Sequence, residues 1–129
     1  MTDTNNLRFT KTHEWVRADA HIATVGISDY AQQEIRDIVY IEMPKLGKEV
    51  AQATAAAVIE SVKAAFEIYA PVSGKIVSIN ENAVKDFSLV HKSPYADGWL
   101  FKIEMTDPKE IGSLMDAKAY DALTASAHH

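Results

Sequence analysis

Few side chains in this sequence are spaced to do chemistry unaided. Three histidines lie within its body, His13, His21 and His91. His13-Glu14 is followed by Trp15, Val16 and Arg17, so the second histidine of an H-E-x-x-H metal site is missing. Neither a G-x-S-x-G nucleophile elbow nor a phosphate-cradling G-x-x-x-x-G-K-[ST] or G-x-G-x-x-G occurs, and the 5 glycines are scattered. The chain has no cysteine, which excludes a disulfide scaffold, a thiolate zinc site, a redox pair and a cysteine nucleophile. No catalytic residue, metal ligand or enzyme site is therefore expected. What remains is Glu60-Ser61-Val62-Lys63-Ala64, followed by Tyr69-Ala70-Pro71-Val72-Ser73-Gly74. A lysine acts as a Schiff-base nucleophile only where burial lowers its pKa. Taken alone, a lysine in an apolar segment is most often a solvated surface charge.

The rest of the chain must position that segment. Its 129 residues, 47% hydrophobic and 24% charged, suit one domain with one ordinary core. A net charge of −5 with no basic run argues against a nucleic-acid partner. The longest uncharged stretch, Val50 to Ile59, is half a membrane span. Residues 1–6 lack the features of a secretory signal or transit peptide, so a cytoplasmic protein without a membrane partner is expected.

Elements follow from periodicity. His13 to Ala18 and His21 to Ile27 read as two strands joined near Asp19-Ala20, with Ala23, Val25 and Ile27 on one face. Asp29 and Gln32 form a capping-box pattern opening a short helix through about Ile35. Ile38 to Met43 reads as a strand apolar on both faces, closed by Pro44-Lys45-Leu46-Gly47. Lys75 to Asn80 and Trp99 to Glu104 read as further strands, the latter with Trp99, Phe101 and Ile103 on one face, and Trp15, Trp99 and Phe101 are expected in the core. Asp107-Pro108-Lys109-Glu110 opens a helix, and a second from Ala117 to Ala125 is expected to turn Tyr120 and Leu123 inward. Between residues 50 and 70, local propensity points to a helix: Ile59, Val62, Phe66 and Tyr69 are helically spaced and no Gly, Asn or Pro marks a turn.

The segment around Lys63 nonetheless strongly resembles the H-protein family of the glycine cleavage system. The likeness runs from about Arg8 to Leu123. Its stations are His13-Glu14-Trp15-Val16, Val25-Gly26-Ile27-Ser28-Asp29-Tyr30-Ala31-Gln32, Asp37 with the strand through Met43-Pro44, the Glu60 to Ala64 block, Ala70 to Gly74, Pro94-Tyr95 and Gly98-Trp99. Each is weak alone, but their order and spacing together are specific.

The resemblance implies a mainly β fold, a barrel-sandwich hybrid of two small sheets with short helices after the second strand and at the C-terminus. It makes Lys63 the lysine that carries lipoic acid in amide linkage, at the tip of a hairpin, and overrides helix propensity between 50 and 70. An exposed tip on a rigid sandwich suits a group that several enzymes must reach in turn. Glu60, Ser61, Val62 and Ala64 are expected to be recognised around the hairpin, and Glu14 and Tyr30 are candidates for a cleft that shelters the loaded arm. Read without that role, Glu14 is an exposed strand residue and Tyr30 a packed helix residue.

The implied partners are a pyridoxal-phosphate glycine decarboxylase, a tetrahydrofolate-dependent aminomethyltransferase, dihydrolipoyl dehydrogenase, and a lipoate ligase or lipoyl transferase, with the chain a carrier, monomeric on its own. The alternative is a lipoyl or biotinyl domain of another complex, or a lipoate relay. Biotin carriers usually place Met on both sides of the lysine, and acyltransferase lipoyl domains place Asp before it, whereas Val62 and Ala64 stand here. Departures from the family pattern are Arg36, Ala53 and Ala57 where glycine is common, and His91 where asparagine is common. The expected layout is a flexible tail over 1–7, one carrier domain over 8–125 with C-terminal helices from about 108, and a tail over 126–129. His128-His129 is given no role.

Overall fold

A computed structural model of the chain describes residues 6–127. Nine strands and four α-helices follow in the order β1 (Arg8–Phe9), β2 (Glu14–Asp19), β3 (Ile22–Ile27), α1 (Asp29–Ile35), β4 (Ile38–Glu42), β5 (Glu49–Val50), β6 (Ala55–Ser61), β7 (Ala65–Tyr69), β8 (Gly74–Ile79), α2 (Glu81–Lys85), α3 (Ser88–Lys92), β9 (Phe101–Met105) and α4 (Ala117–Ala127), with a 3₁₀ helix at Pro108–Ser113. One sheet has six strands in the order β1-β2-β3-β9-β8-β5, and the other three in the order β4-β6-β7. This is the two-sheet sandwich that the resemblance implied. Among the described residues, no helix is long and apolar enough to cross a membrane.

Alternation in β2 and β3 produces a hairpin in register from Glu14 opposite Ile27 to Asp19 opposite Ile22. Gly26 stands opposite Trp15, and a Cβ there would lie 2.7 Å from the indole, so only glycine lets the ring lie across β3. The inner faces of both sheets share one core in which Val25, Ile59, Ile76, Leu100, Phe101 and Ile103 are fully buried. Each such side chain contributes about 1.5–3 kcal/mol of transfer free energy. A second cluster, Leu7, Phe9, Trp15 and Tyr120, seats the C-terminal helix against β1 and β2.

Between residues 50 and 70 the chain is a β-hairpin, β6 paired with β7 from Ala55 opposite Tyr69 to Glu60 opposite Ala65. Helical spacing fails there because Ala57, Ile59 and Ile68 are buried on one face of a strand pair, which no helix can present.

Several expectations are corrected. In β4 only Ile38 and Ile41 are buried, while Val39 and Tyr40 are about half exposed (54% and 50%). A register shift between Ile38 and Tyr40 and the position of β4 at a sheet edge leave it one core-facing side. The cap of α1 is Ser28, whose hydroxyl accepts from the Ala31 N–H; Asp29 instead accepts from the side chains of Gln32 and Gln33. Trp99 precedes β9 and is only partly buried, packed beside the second cluster with the Lys102 ammonium 5.1 Å from its ring. Asp107 caps a 3₁₀ turn instead of an α-helix. Tyr120 faces inward as expected, but Leu123 is exposed. Leu7, assigned to the tail, is buried. The rest of that N-terminal tail up to residue 5, and His128-His129, lie outside the described residues.

Candidate functional site

Lys63 lies exposed in the three-residue turn between β6 and β7. With no Gly, Asn or Pro available, Ser61 builds the turn. Its N–H and hydroxyl both donate to the Ala64 carbonyl, at 2.7 and 3.2 Å, and its Oγ accepts from the N–H groups of Lys63 (3.3 Å) and Ala64 (3.2 Å). The side chain thus does locally what a turn residue normally does. Ser61 is buried. Val62, beside it, is 75% exposed, and its N–H donates to the Asp37 carbonyl at 3.2 Å, tying the tip to the residue just before β4. Glu60 and Ala64 are exposed. The five residues of the block are therefore one structural unit, with Lys63 projecting from it.

Two of the departures from the family pattern carry backbone strain near this hairpin. Arg36 has φ 64° and ψ −132°, a region that favours glycine, and it directly precedes the Asp37 that holds the tip. Ala53 has φ 69° and donates its N–H to the Ala70 carbonyl at the hairpin's base. Ala57 is buried in β6 beside the register shift that separates it from Ala55, and His91 Nδ1 lies 2.9 Å from the Gln32 Oε1, joining α3 to α1.

Glu14 is fully buried, contrary to its reading as an exposed strand residue. One carboxylate oxygen accepts from the hydroxyls of Thr10 and Thr12, both at 2.5 Å, and the other accepts from the Tyr69 N–H of β7 at 3.0 Å. A buried carboxylate is tolerable when its lone pairs are filled in this way. It forms the floor of a largely apolar cavity of about 470 Å³ walled by Phe9, Ala53, Ala70, Pro71 and Met115.

Tyr30 lies elsewhere. It lines a smaller cavity of about 220 Å³ with Thr12, His13, Glu34, Phe66 and Glu67. The structure thus does not bring Glu14 and Tyr30 into one cleft; they border adjoining cavities that share Thr12. Phe66 and Glu67 place the smaller cavity on the half of β7 nearer the tip.

His13 is a site residue that local reading missed. It sits at φ 77°, its ring 4.7 Å from that of Tyr30 and its Nδ1 2.7 Å from the Tyr120 hydroxyl. Burial lowers its pKa below the usual histidine value, against the opposing pull of Glu14 and Glu34. Burial likewise pushes the Tyr120 phenol upward. The missed pair, His13 and Tyr120, is 107 residues apart, beyond any local pattern. Thr10 and Thr12 reach Glu14 from the turn before β2, where the His13 N–H donates to the Thr10 carbonyl at 3.2 Å, so no strand period announced them. Among the described residues, no group of three or more His, Asp or Glu is arranged to hold a metal ion.

A family model described as glycine cleavage H-protein matches residues 7–127. The glycine cleavage system H protein of Endomicrobium trichonymphae is 50% identical over 123 residues, spanning 95% of this chain and 99% of its own. That of Thermotoga maritima is 47% identical over 118 residues, spanning 92% and 95%. In structure, the chain is similar to a crystal structure of a glycine cleavage system H protein from Mycobacterium marinum, with a TM-score of 0.86 at 29% identity, covering 94% of this chain and 98% of that one.

Proposed function

We propose that this chain, which belongs to the glycine cleavage H-protein family, carries lipoic acid in amide linkage on Lys63. In this reading it shuttles the aminomethyl group of glycine from the pyridoxal-phosphate glycine decarboxylase to the tetrahydrofolate-dependent aminomethyltransferase. Dihydrolipoyl dehydrogenase then restores the disulfide, and a lipoate ligase or lipoyl transferase installs the cofactor. The chain is a carrier and performs no catalysis itself.

One observation carries the reading: Lys63 stands exposed on a turn whose backbone is fixed by Ser61 and Asp37. A rigid base and a free side chain are what a serially visited tether requires. The bound group would supply a disulfide that opens to take the cargo, which the cysteine-free chain cannot supply. A lysine side chain so extended spans about ten bonds of ~1.5 Å, roughly 12 Å in zigzag. Phe66, the second residue of β7 and three residues beyond Lys63, lies at most about 10 Å from it along the chain and is within that span. The smaller cavity beside Tyr30 would then take the arm's end, with Glu14 holding β7 behind it. The five-residue block would be what the attaching enzyme recognises, Glu60 and Val62 by contact and Ser61 by shaping the turn.

Intact mass and peptide mapping after expression with lipoate and its ligase test the assignment. A lipoyl increment confined to Lys63 is expected, with none in Lys63→Arg. An increment elsewhere, or none in the parent chain, would overturn it. Retained glycine–bicarbonate exchange in Lys63→Arg mixed with the decarboxylase would do the same. No observation favours a biotinyl carrier or relay over this reading.

A further inference from the structure

A chain of hydroxyl groups connects the arm-side cavity to the C-terminal helix. Ser28 is fully buried, and its Oγ has two partners, the Ala31 N–H at 3.1 Å and the Tyr120 hydroxyl at 2.6 Å. The Ala31 N–H can only donate, so the Ser28 hydrogen must go to the Tyr120 oxygen. The Tyr120 hydrogen is then left for His13 Nδ1, 2.7 Å away. That nitrogen must be an unprotonated acceptor, so the imidazole is neutral with its hydrogen on Nε2. A proton on Nδ1 would leave three hydrogens for two contacts, so that one hydroxyl hydrogen, that of Tyr120 or of Ser28, loses its acceptor in the interior at a cost of about 1–3 kcal/mol.

We propose that the Ser28–Tyr120–His13 chain is a positioning device that keeps His13 neutral, so that the cavity beside the lipoyl hairpin accepts a cationic arm end and rejects it when His13 is protonated. The inference rests on the reading of Lys63 as the arm's anchor. The groups facing His13 are Glu14 from β2, Tyr30 and Glu34 from α1 and Tyr120 from α4, and Glu67 of β7 borders the same cavity. Apart from His13 these groups are neutral or acidic. A neutral ring leaves the wall attractive to an ammonium; an imidazolium a few ångströms away opposes it. Burial lowers the His13 pKa, in keeping with a ring held in its neutral form. Phe9 stacks on Tyr120 at 4.4 Å and fixes the phenol in place, so the device is part of the second hydrophobic cluster.

Two measurements decide it. Long-range ¹H–¹⁵N spectra of the unmodified chain at neutral pH should show His13 as the Nε2–H tautomer; an Nδ1–H tautomer or an imidazolium would overturn the inference and leave the assignment of Lys63 untouched. The second uses lipoylated protein loaded with the aminomethyl group, its rate of cargo loss divided by that of the same protein unfolded in denaturant. From about pH 7.5 to about pH 5 the protection should fall about tenfold, the size expected of like charges a few ångströms apart. His13→Asn accepts the left-handed backbone without titrating and should hold its protection across that range. An equal acid-dependent loss in His13→Asn would overturn the inference. Failure to lipoylate Lys63 at all would instead overturn the functional reading.

Discussion

The carboxylate of Glu14, on β2 of the six-stranded sheet, accepts the backbone N–H of Tyr69, on β7 of the three-stranded sheet, at 3.0 Å. A buried side chain therefore pins the strand that descends from Lys63 to the opposite layer. It occupies an N–H on an edge strand, which would otherwise lack a partner in its own sheet.

Removing that acceptor should loosen the hairpin. Glu14→Ala leaves the Tyr69 N–H without its acceptor and removes a buried, hydrogen-bonded side chain, and should cost about 2–4 kcal/mol in urea unfolding. Hydrogen exchange at the Tyr69 amide should accelerate more than at core amides of β3. Unchanged exchange at Tyr69 would show that the bond does not hold β7.

Relief of backbone strain should act in the opposite sense. Arg36→Gly removes a Cβ from a conformation costing about 1–3 kcal/mol, partly offset by the added freedom of glycine in the unfolded chain. A net gain of about 1 kcal/mol is expected, read as a higher urea midpoint at constant slope. Ala53→Gly should gain less, since a single left-handed alanine costs only about 1–2 kcal/mol.

Ser61 is expected to govern the tip without governing the fold. Ser61→Ala removes three contacts within the turn yet deletes no apolar core. Global stability should fall by only about 1 kcal/mol. Exchange at the Lys63 and Ala64 amides should rise markedly, and the rate of lipoate attachment should fall. A global loss as large as that of Glu14→Ala would mean that the serine supports the core.

His13 sets a pH dependence whose sign follows from burial. Its folded pKa is lowered from the ordinary 6.5, so the unfolded chain binds the proton more readily. Stability is then complete above the unfolded value and declines as pH falls through 6.5 toward the lower folded pKa. The urea midpoint should drop between about pH 7.5 and about pH 5.5, and His13→Asn should remove that part of the drop. A midpoint that rises with acid in the parent chain would contradict the burial of the ring.

Legibility in the sequence followed the range of the forces. The β2–β3 hairpin was readable because Ala23, Val25 and Ile27 alternate and Asp19-Ala20 breaks the run. The short strands β1 and β5 were not, because two residues carry no period and exist only through partners, Phe9 with Trp15 and Val50 with Gly74. Helices α2 and α3, five residues each, are too short for a moment to emerge. Val39 and Tyr40 misled because apolar side chains at a sheet edge look like core ones until the other side of the strand is known to be empty.

The sequence by itself determined the family, the two-sheet fold class that goes with it, and the absence of any protein thiol. These rest on ordered motifs and on composition, which need no coordinates. Only the tertiary structure decided that Glu14 faces inward, that Glu14 and Tyr30 border separate cavities, and that Ser28, Tyr120 and His13 share one chain of hydrogens. The first and last of these depend on polar groups finding partners 55 to 107 residues away. Hydrogen bonds at that separation are selected by how the two sheets and the last helix close on one another, because a buried donor or acceptor must be satisfied by whatever the packing brings within reach.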